Sequence, residues 1–131
     1  MIDELEKFAQ SKSFGYIRID GRVNAEKRHM YVQDFQTKSD IRLAILSITA
    51  CSQGLTLTAA SCVVFAELTW TPSIMVQAED RAHRIGQKNS VNIYYLHAKD
   101  TIDDLIFDIL QRKSLITTGV TDGKIAHMGL N

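Results

Sequence analysis

Four short apolar runs punctuate the chain: YIRI (16–19), IRLAILS (41–47), SCVVFAE (61–67) and VNIYYLH (91–97). Runs of this length rich in β-branched and aromatic residues predict strands. The middle two are almost continuous Ile, Leu, Val and Phe, the composition of strands buried on both faces. Between the runs the pattern changes to helical spacing. Residues 2–11 predict an opening helix, and 25–36 a second behind an Asn24 cap. Thr71 and Pro72 mark a helix start, a capping hydroxyl followed by proline at the first helical position. Gly86 is a stop for that helix. A last helix begins at Thr101, with Asp103 and Asp104 at its positive end. Its Ile102, Leu105, Ile106, Ile109 and Leu110 make one apolar stripe, carried through Arg112. After Lys113 the periodicity fades, and 114–131 reads as a loosely structured tail rich in Gly and Thr. Strands alternating with helices predict an α/β fold with a parallel sheet.

Composition narrows the class. With 131 residues, 45% of them apolar, the chain can bury one core and fold as one domain. Lys plus Arg equals Asp plus Glu at 15 each, so any nucleic-acid binding must come from local patches. Cys51 and Cys62 lie in apolar stretches, and reduced, buried thiols are expected. The four histidines never fall into metal-ligand spacing, and no metal site is expected. No apolar run is long enough to span a membrane.

The polar stretch QAEDRAHRIGQ (77–87) stands out against this background. Unrolled as a helix, Gln77, Arg81 and Arg84 fall within roughly 60° of one another. Ile74, Ala78, Ala82 and Ile85 gather on the adjoining face, with Met75 at its far edge. Such a helix packs on the sheet and presents a fork of two guanidiniums, whose planar donors suit phosphate oxygens. Taken alone, a solvated amphipathic helix explains the same residues and is the ordinary reading.

The wider context changes that balance. RIDG (18–21), ILSITACSQGLTLTAASCVVFAELTWTP (45–72) and QAEDRAHRIGQ occur in one order and spacing. Over about residues 1–113 the chain resembles the second RecA-like (helicase C-terminal) lobe of Swi/Snf-type DNA-dependent ATPases. SQGLTLTAA and VVFAEL look most like the annealing-helicase (HepA-related) branch, although nucleosome remodellers share the skeleton. The resemblance implies a RecA-like parallel sheet with helices on both faces, the lobe's first strand being absent. It implies a motor lobe that closes over ATP bound with Mg²⁺, the Mg²⁺ ligands lying on a first lobe. Arg81 and Arg84 would be arginine fingers, with Gln77 and Gly54 beside the nucleotide; Asp80 would orient the arginines. Ser47, Thr49 and Trp70 would touch double-stranded or forked DNA. Partners would be the first lobe of the same protein and DNA, with no membrane, in a nucleus if the source is eukaryotic and otherwise in cytoplasm.

Each residue also has a plainer explanation. Gly54 serves a turn, Ser47 and Thr49 are turn partners at a strand end, and Trp70 is half-buried packing. Asp20 and Gly21 match the family's turn, and a turn accounts for them without catalysis. Residues 18–42 hold Arg18, Arg22, Lys27, Arg28, Lys38 and Arg42 against four acids, either a phosphate patch or a solvated face. Cys51 and Ser52 stand where relatives commonly carry two glycines, which puts side chains where backbone meets ligand. No G-x-x-x-x-G-K-[ST] loop and no acidic Mg²⁺ box occur; Gly123 and Lys124 have no such frame. ATP hydrolysis is therefore expected only together with a first lobe. Two functions remain open, the second lobe of a translocase and a non-catalytic interaction module descended from one. An unrelated α/β phosphate-binding regulator would require the motif order to be chance.

Overall fold

A computed structural model describes the backbone of residues 1–122 and the side chains of residues 1–113. The elements in order are α1 (Ile2–Ser11), β1 (Gly15–Ile19), α2 (Ala25–Thr37), β2 (Ile41–Leu46), α3 (Ile48–Cys51), β3 (Cys62–Phe65), α4 (Pro72–Glu79), β4 (Asn92–Tyr95) and α5 (Ile102–Asp122). β1 pairs in parallel with β2, placing Ile19 beside Leu46, and β3 pairs in parallel with β4, placing Phe65 beside Tyr95. The α/β class with parallel strands holds.

Side chains alternate across a strand, so β1 shows which helix covers which face. Ile17 and Ile19 are buried and pack with Phe35, Tyr31 and Val32 of α2. The intervening Tyr16 donates to Glu6 of α1 at 3.0 Å and accepts from Gln10 at 2.9 Å. Arg18, on that same face, pairs with Asp3 at 2.7 Å and with Glu6. Helices therefore lie on both faces of the β1–β2 pair. A second core joins Phe65, Met75, Ala78 and Cys51, with Phe65 stacked on Tyr95 at 5.1 Å.

The sheet is not continuous among the described residues. It forms as two pairs, and β2 and β3 face a shared cavity of about 1080 Å³ that no residue of β1 or β4 lines. This corrects the expectation that the middle strands are buried on both faces: Ile45 and Phe65 are buried, whereas Val64 and its partner Tyr94 are each 54% exposed. α4 covers one face of the β3–β4 pair, and the opposite face stays open. Cys51 is buried as expected, but Cys62, on the open edge, is exposed; both thiols are free.

Helix ends supply further corrections. Asn24 caps α2 by accepting from the Lys27 N–H at 2.9 Å, as its sequence position predicts. Pro72 opens α4, but the Thr71 hydroxyl makes no cap bond. α4 stops at Glu79, well short of Gly86. The Arg81 carbonyl leaves the helical ladder to accept from the Leu57 N–H at 2.8 Å, and Arg81 and Ala82 N–H groups tighten onto residues three back. Gly86 (φ +101°) instead sits in a turn closed by Gln87 N–H to the Arg84 carbonyl at 3.0 Å. α5 runs through Asp122, past the end expected near Arg112. Once nucleated, a helix gains one bond per residue added, so loss of an apolar stripe does not end it. The remainder of the expected tail, 123–131, lies outside the described residues. Of the α5 stripe, Ile106 and Leu110 are buried while Ile102 and Leu105 are exposed.

Candidate functional site

The chain leaves β2 at Ser47, whose hydroxyl caps α3 by accepting from Ala50 N–H at 3.2 Å and lies 3.2 Å from the Thr49 hydroxyl. After α3 it turns at Gly54, where φ is +76°. A Cβ there would meet nothing within 4 Å, so conformation rather than crowding calls for glycine. Leu55 and Leu57 then plunge into the core, leaving Thr56 between them. Arg84 Nη1 donates to the Thr56 hydroxyl at 3.0 Å. Gln87 donates to the Ala60 carbonyl at 2.8 Å and to the Ala82 carbonyl at 3.0 Å. From the other side, Gln36 of α2 donates to the Thr58 hydroxyl at 2.8 Å and accepts from Ala59 N–H at 2.8 Å. The 54–60 loop is thus held against both α2 and the arginine segment. Gln36, Thr56 and Gln87 carry these bonds across 22 to 28 residues of sequence, a separation that no local pattern reveals.

Arg81 and Arg84 do not project from a helix, because α4 has ended. The fork read from helical spacing is replaced by two different settings. Arg84 is exposed, beside an Ile85 that is fully exposed rather than packed on the sheet. Arg81 lines the cavity, and its Nε is buried with no hydrogen-bond partner among the described residues. Burial pushes the Cys51 thiol up in pKa, and the charge of Arg81 pulls the other way. Gln77 is exposed on α4, and no hydrogen bond joins it to either arginine. Nor does Asp80 pair with them. The fold therefore brings Arg84 to the loop after Gly54, and leaves Gln77 apart.

Trp70 is 47% exposed, and its carbonyl accepts from Lys113 Nζ at 3.3 Å. α3 and α4 pack through Cys51, Ile48, Met75 and Ala78. Ser47, Thr49 and Trp70 thus belong to the starts of two neighbouring helices, each following the carboxyl end of a strand. Open α/β sheets bind ligands at such ends. The basic residues of 18–42 are largely committed elsewhere: Arg18 and Arg22 to Asp20, Lys38 to Asp34, and Arg28 to the Val23 carbonyl. Hydrogen bonds from Arg22 and then Arg18 hold the Asp20 carboxyl well below the usual carboxylate range. That geometry makes Asp20 a structural hub of its turn.

Glu79 gives a pH signature. Burial, reinforced by Asp80, raises its pKa above the ordinary 4.5, against a weaker opposing pull from His83. The Tyr95 hydroxyl donates to it. A raised carboxyl pKa means the folded state binds the proton more tightly than the unfolded state. The resulting stabilisation is present below about pH 4.5 and lost as pH rises through the folded value. We expect Glu79→Gln to flatten this part of the stability curve, measured as melting temperature from about pH 4 to 7 beside the parent. An unchanged pH slope would contradict the assignment.

Among the described residues no helix is long and apolar enough to cross a membrane, and no three His, Cys, Asp or Glu gather as a metal site. The family model described as the helicase conserved C-terminal domain matches residues 1–86. The mouse "DNA annealing helicase and endonuclease ZRANB3" is 55% identical over 91% of this chain and 11% of its own length. A Drosophila melanogaster protein, "SWI/SNF-related matrix-associated actin-dependent regulator of chromatin subfamily A-like protein 1", is 46% identical over 92% of this chain and 16% of its own. The chain thus spans a small fraction of these relatives. Among solved structures, the C-terminal part of the Fun30 ATPase domain superposes with TM-score 0.80 at 33% identity, covering 83% of this chain and 35% of that one.

Proposed function

Because this chain belongs to the helicase C-terminal domain family, we propose that it is the second motor lobe of an ATP-dependent double-stranded-DNA translocase, an annealing helicase acting at stalled or remodelled replication forks. The 55% identity to the mouse "DNA annealing helicase and endonuclease ZRANB3" supports that branch. Residues 1–113 are the lobe in this reading, and a further strand entering the cavity between β2 and β3 would join the two strand pairs. In a eukaryotic source, work on chromosomal DNA would place the protein in the nucleus.

The observation that carries the reading is Arg84, an exposed residue whose guanidinium is tethered through Nη1 to the loop behind Gly54. The unpaired Nε of Arg81 adds a second donor short of an acceptor. These donors fit the phosphate groups of ATP, with Mg²⁺ held by the first lobe. ATP supplies the phosphoryl group; Arg84 and Arg81 stabilise the charge that develops on it. Gly54 and Gln77 line the nucleotide, Gln77 only after the lobes close, since it is now apart from the arginines. The first lobe and duplex or forked DNA are the partners.

Ser47, Thr49 and Trp70 form the DNA track and touch backbone rather than base edges, as movement over any sequence requires. Ser47→Ala with Thr49→Ala weakens duplex binding while changing its salt slope little, because neutral hydroxyls release few counterions. Trp70→Ala leaves ATP turnover partly intact while strand annealing fails. A fully buried Trp would cost roughly 3–5 kcal/mol on truncation; half exposed, Trp70 should cost less. Melting temperature and DNA-stimulated turnover, read on the same two-lobe protein, decide the matter. A proportional fall in both makes Trp70 core and removes it from the track.

A further inference from the structure

We infer that Thr56 is a positioning residue for ATP hydrolysis, its hydroxyl holding the Arg84 guanidinium where the reaction needs it; this rests on the role proposed above for Arg84. An arginine outside a helix and exposed to solvent has many rotamers, and ordering it costs entropy each time it must act. Arg84 makes one side-chain hydrogen bond among the described residues, from Nη1 to Thr56 Oγ1 at 3.0 Å. Thr56 itself is fixed. Its neighbours Leu55 and Leu57 are 7% and 5% exposed, and the Leu57 N–H is bonded to the Arg81 carbonyl. Gln36 and Gln87 hold the loop beyond it.

The chemistry of the acceptor matters as much as its place. A guanidinium has five N–H donors, and this contact uses one, leaving the others for an anion. A carboxylate partner would orient Arg84 but neutralise the charge required in the transition state. A hydroxyl orients without neutralising. Asp80, only four residues away, makes no ion pair with Arg84, in keeping with that division.

The test compares Thr56→Val, which keeps shape and removes the acceptor, with Thr56→Ser, which keeps the acceptor. Both are placed in the protein that joins this lobe to its nucleotide-binding lobe. Thr56→Val should lower DNA-stimulated kcat about tenfold, the scale of one hydrogen bond to a charged group. KM for ATP and melting temperature should stay near the parent values, and Thr56→Ser should restore kcat to within about twofold. In an Arg84→Ala background, Thr56→Val should change nothing further. Normal kcat in Thr56→Val beside a collapsed Arg84→Ala overturns this inference and leaves the motor reading standing. A fall in kcat and melting temperature together, with no rescue by serine, also overturns it in favour of a packing role. An Arg84→Ala protein that hydrolyses normally removes the motor reading and this inference with it.

Discussion

We expect Arg84→Ala, in a protein that includes the first lobe, to lower DNA-stimulated ATP hydrolysis by about 10³-fold or more, the scale of a lost arginine finger. ATP binding falls much less, because a finger acts mainly on charge that develops during phosphoryl transfer. Stability is barely touched, since Arg84 is exposed and its single bond to Thr56 lies at the surface. Arg81→Ala removes hydrolysis similarly but by a more mixed route. Arg81 lines the cavity near Cys51, so its loss should also change packing there and draw more on ATP binding and stability. Single-turnover hydrolysis, equilibrium ATP affinity and melting temperature on both variants separate these effects. A change below about threefold at both sites would return the arginines to ordinary surface and packing roles.

The 131-residue chain alone is expected to show no DNA-stimulated ATP hydrolysis above background. Phosphoryl transfer needs a cradle for the phosphates and ligands for Mg²⁺ as well as fingers. The sequence holds neither a G-x-x-x-x-G-K-[ST] loop nor an acidic Mg²⁺ box. In the proposed role, Arg84 would then have no ordered phosphate to stabilise. Phosphate release measured at saturating ATP and duplex DNA checks this directly, and joining the chain to a phosphate-binding lobe should restore turnover. Robust turnover by the chain alone would refute the division of labour between lobes.

Local pattern carried much of the architecture. The runs at 16–19 and 41–47 became β1 and β2, Asn24 became the cap of α2, and Pro72 opened α4, because strand composition and helix starts depend on near neighbours. The α/β class followed from that alternation, and motif order was enough to point to the family. α3 was missed because a single turn capped by Ser47 leaves no periodicity to read.

What pattern could not supply was decided between distant segments. The helix expected to reach Gly86 stops at Glu79, where the Arg81 and Ala82 N–H groups turn to carbonyls three residues back and the Arg81 carbonyl meets the distant N–H of Leu57. Beyond that end Arg81 lines the cavity and Arg84 lies exposed, in place of a two-arginine fork. The exposure of Val64 and Cys62 likewise depends on which edges and faces find partners, not on how apolar the strand is. Sequence by itself determined the four strands and the four longer helices, their alternation and the residue types fit for phosphate chemistry, since these follow from propensity, spacing and charge. Tertiary structure alone decided where the arginines lie, that Thr56 holds Arg84, and that Gln36 and Gln87 hold the loop carrying Thr56, since those hydrogen bonds join groups more than twenty residues apart.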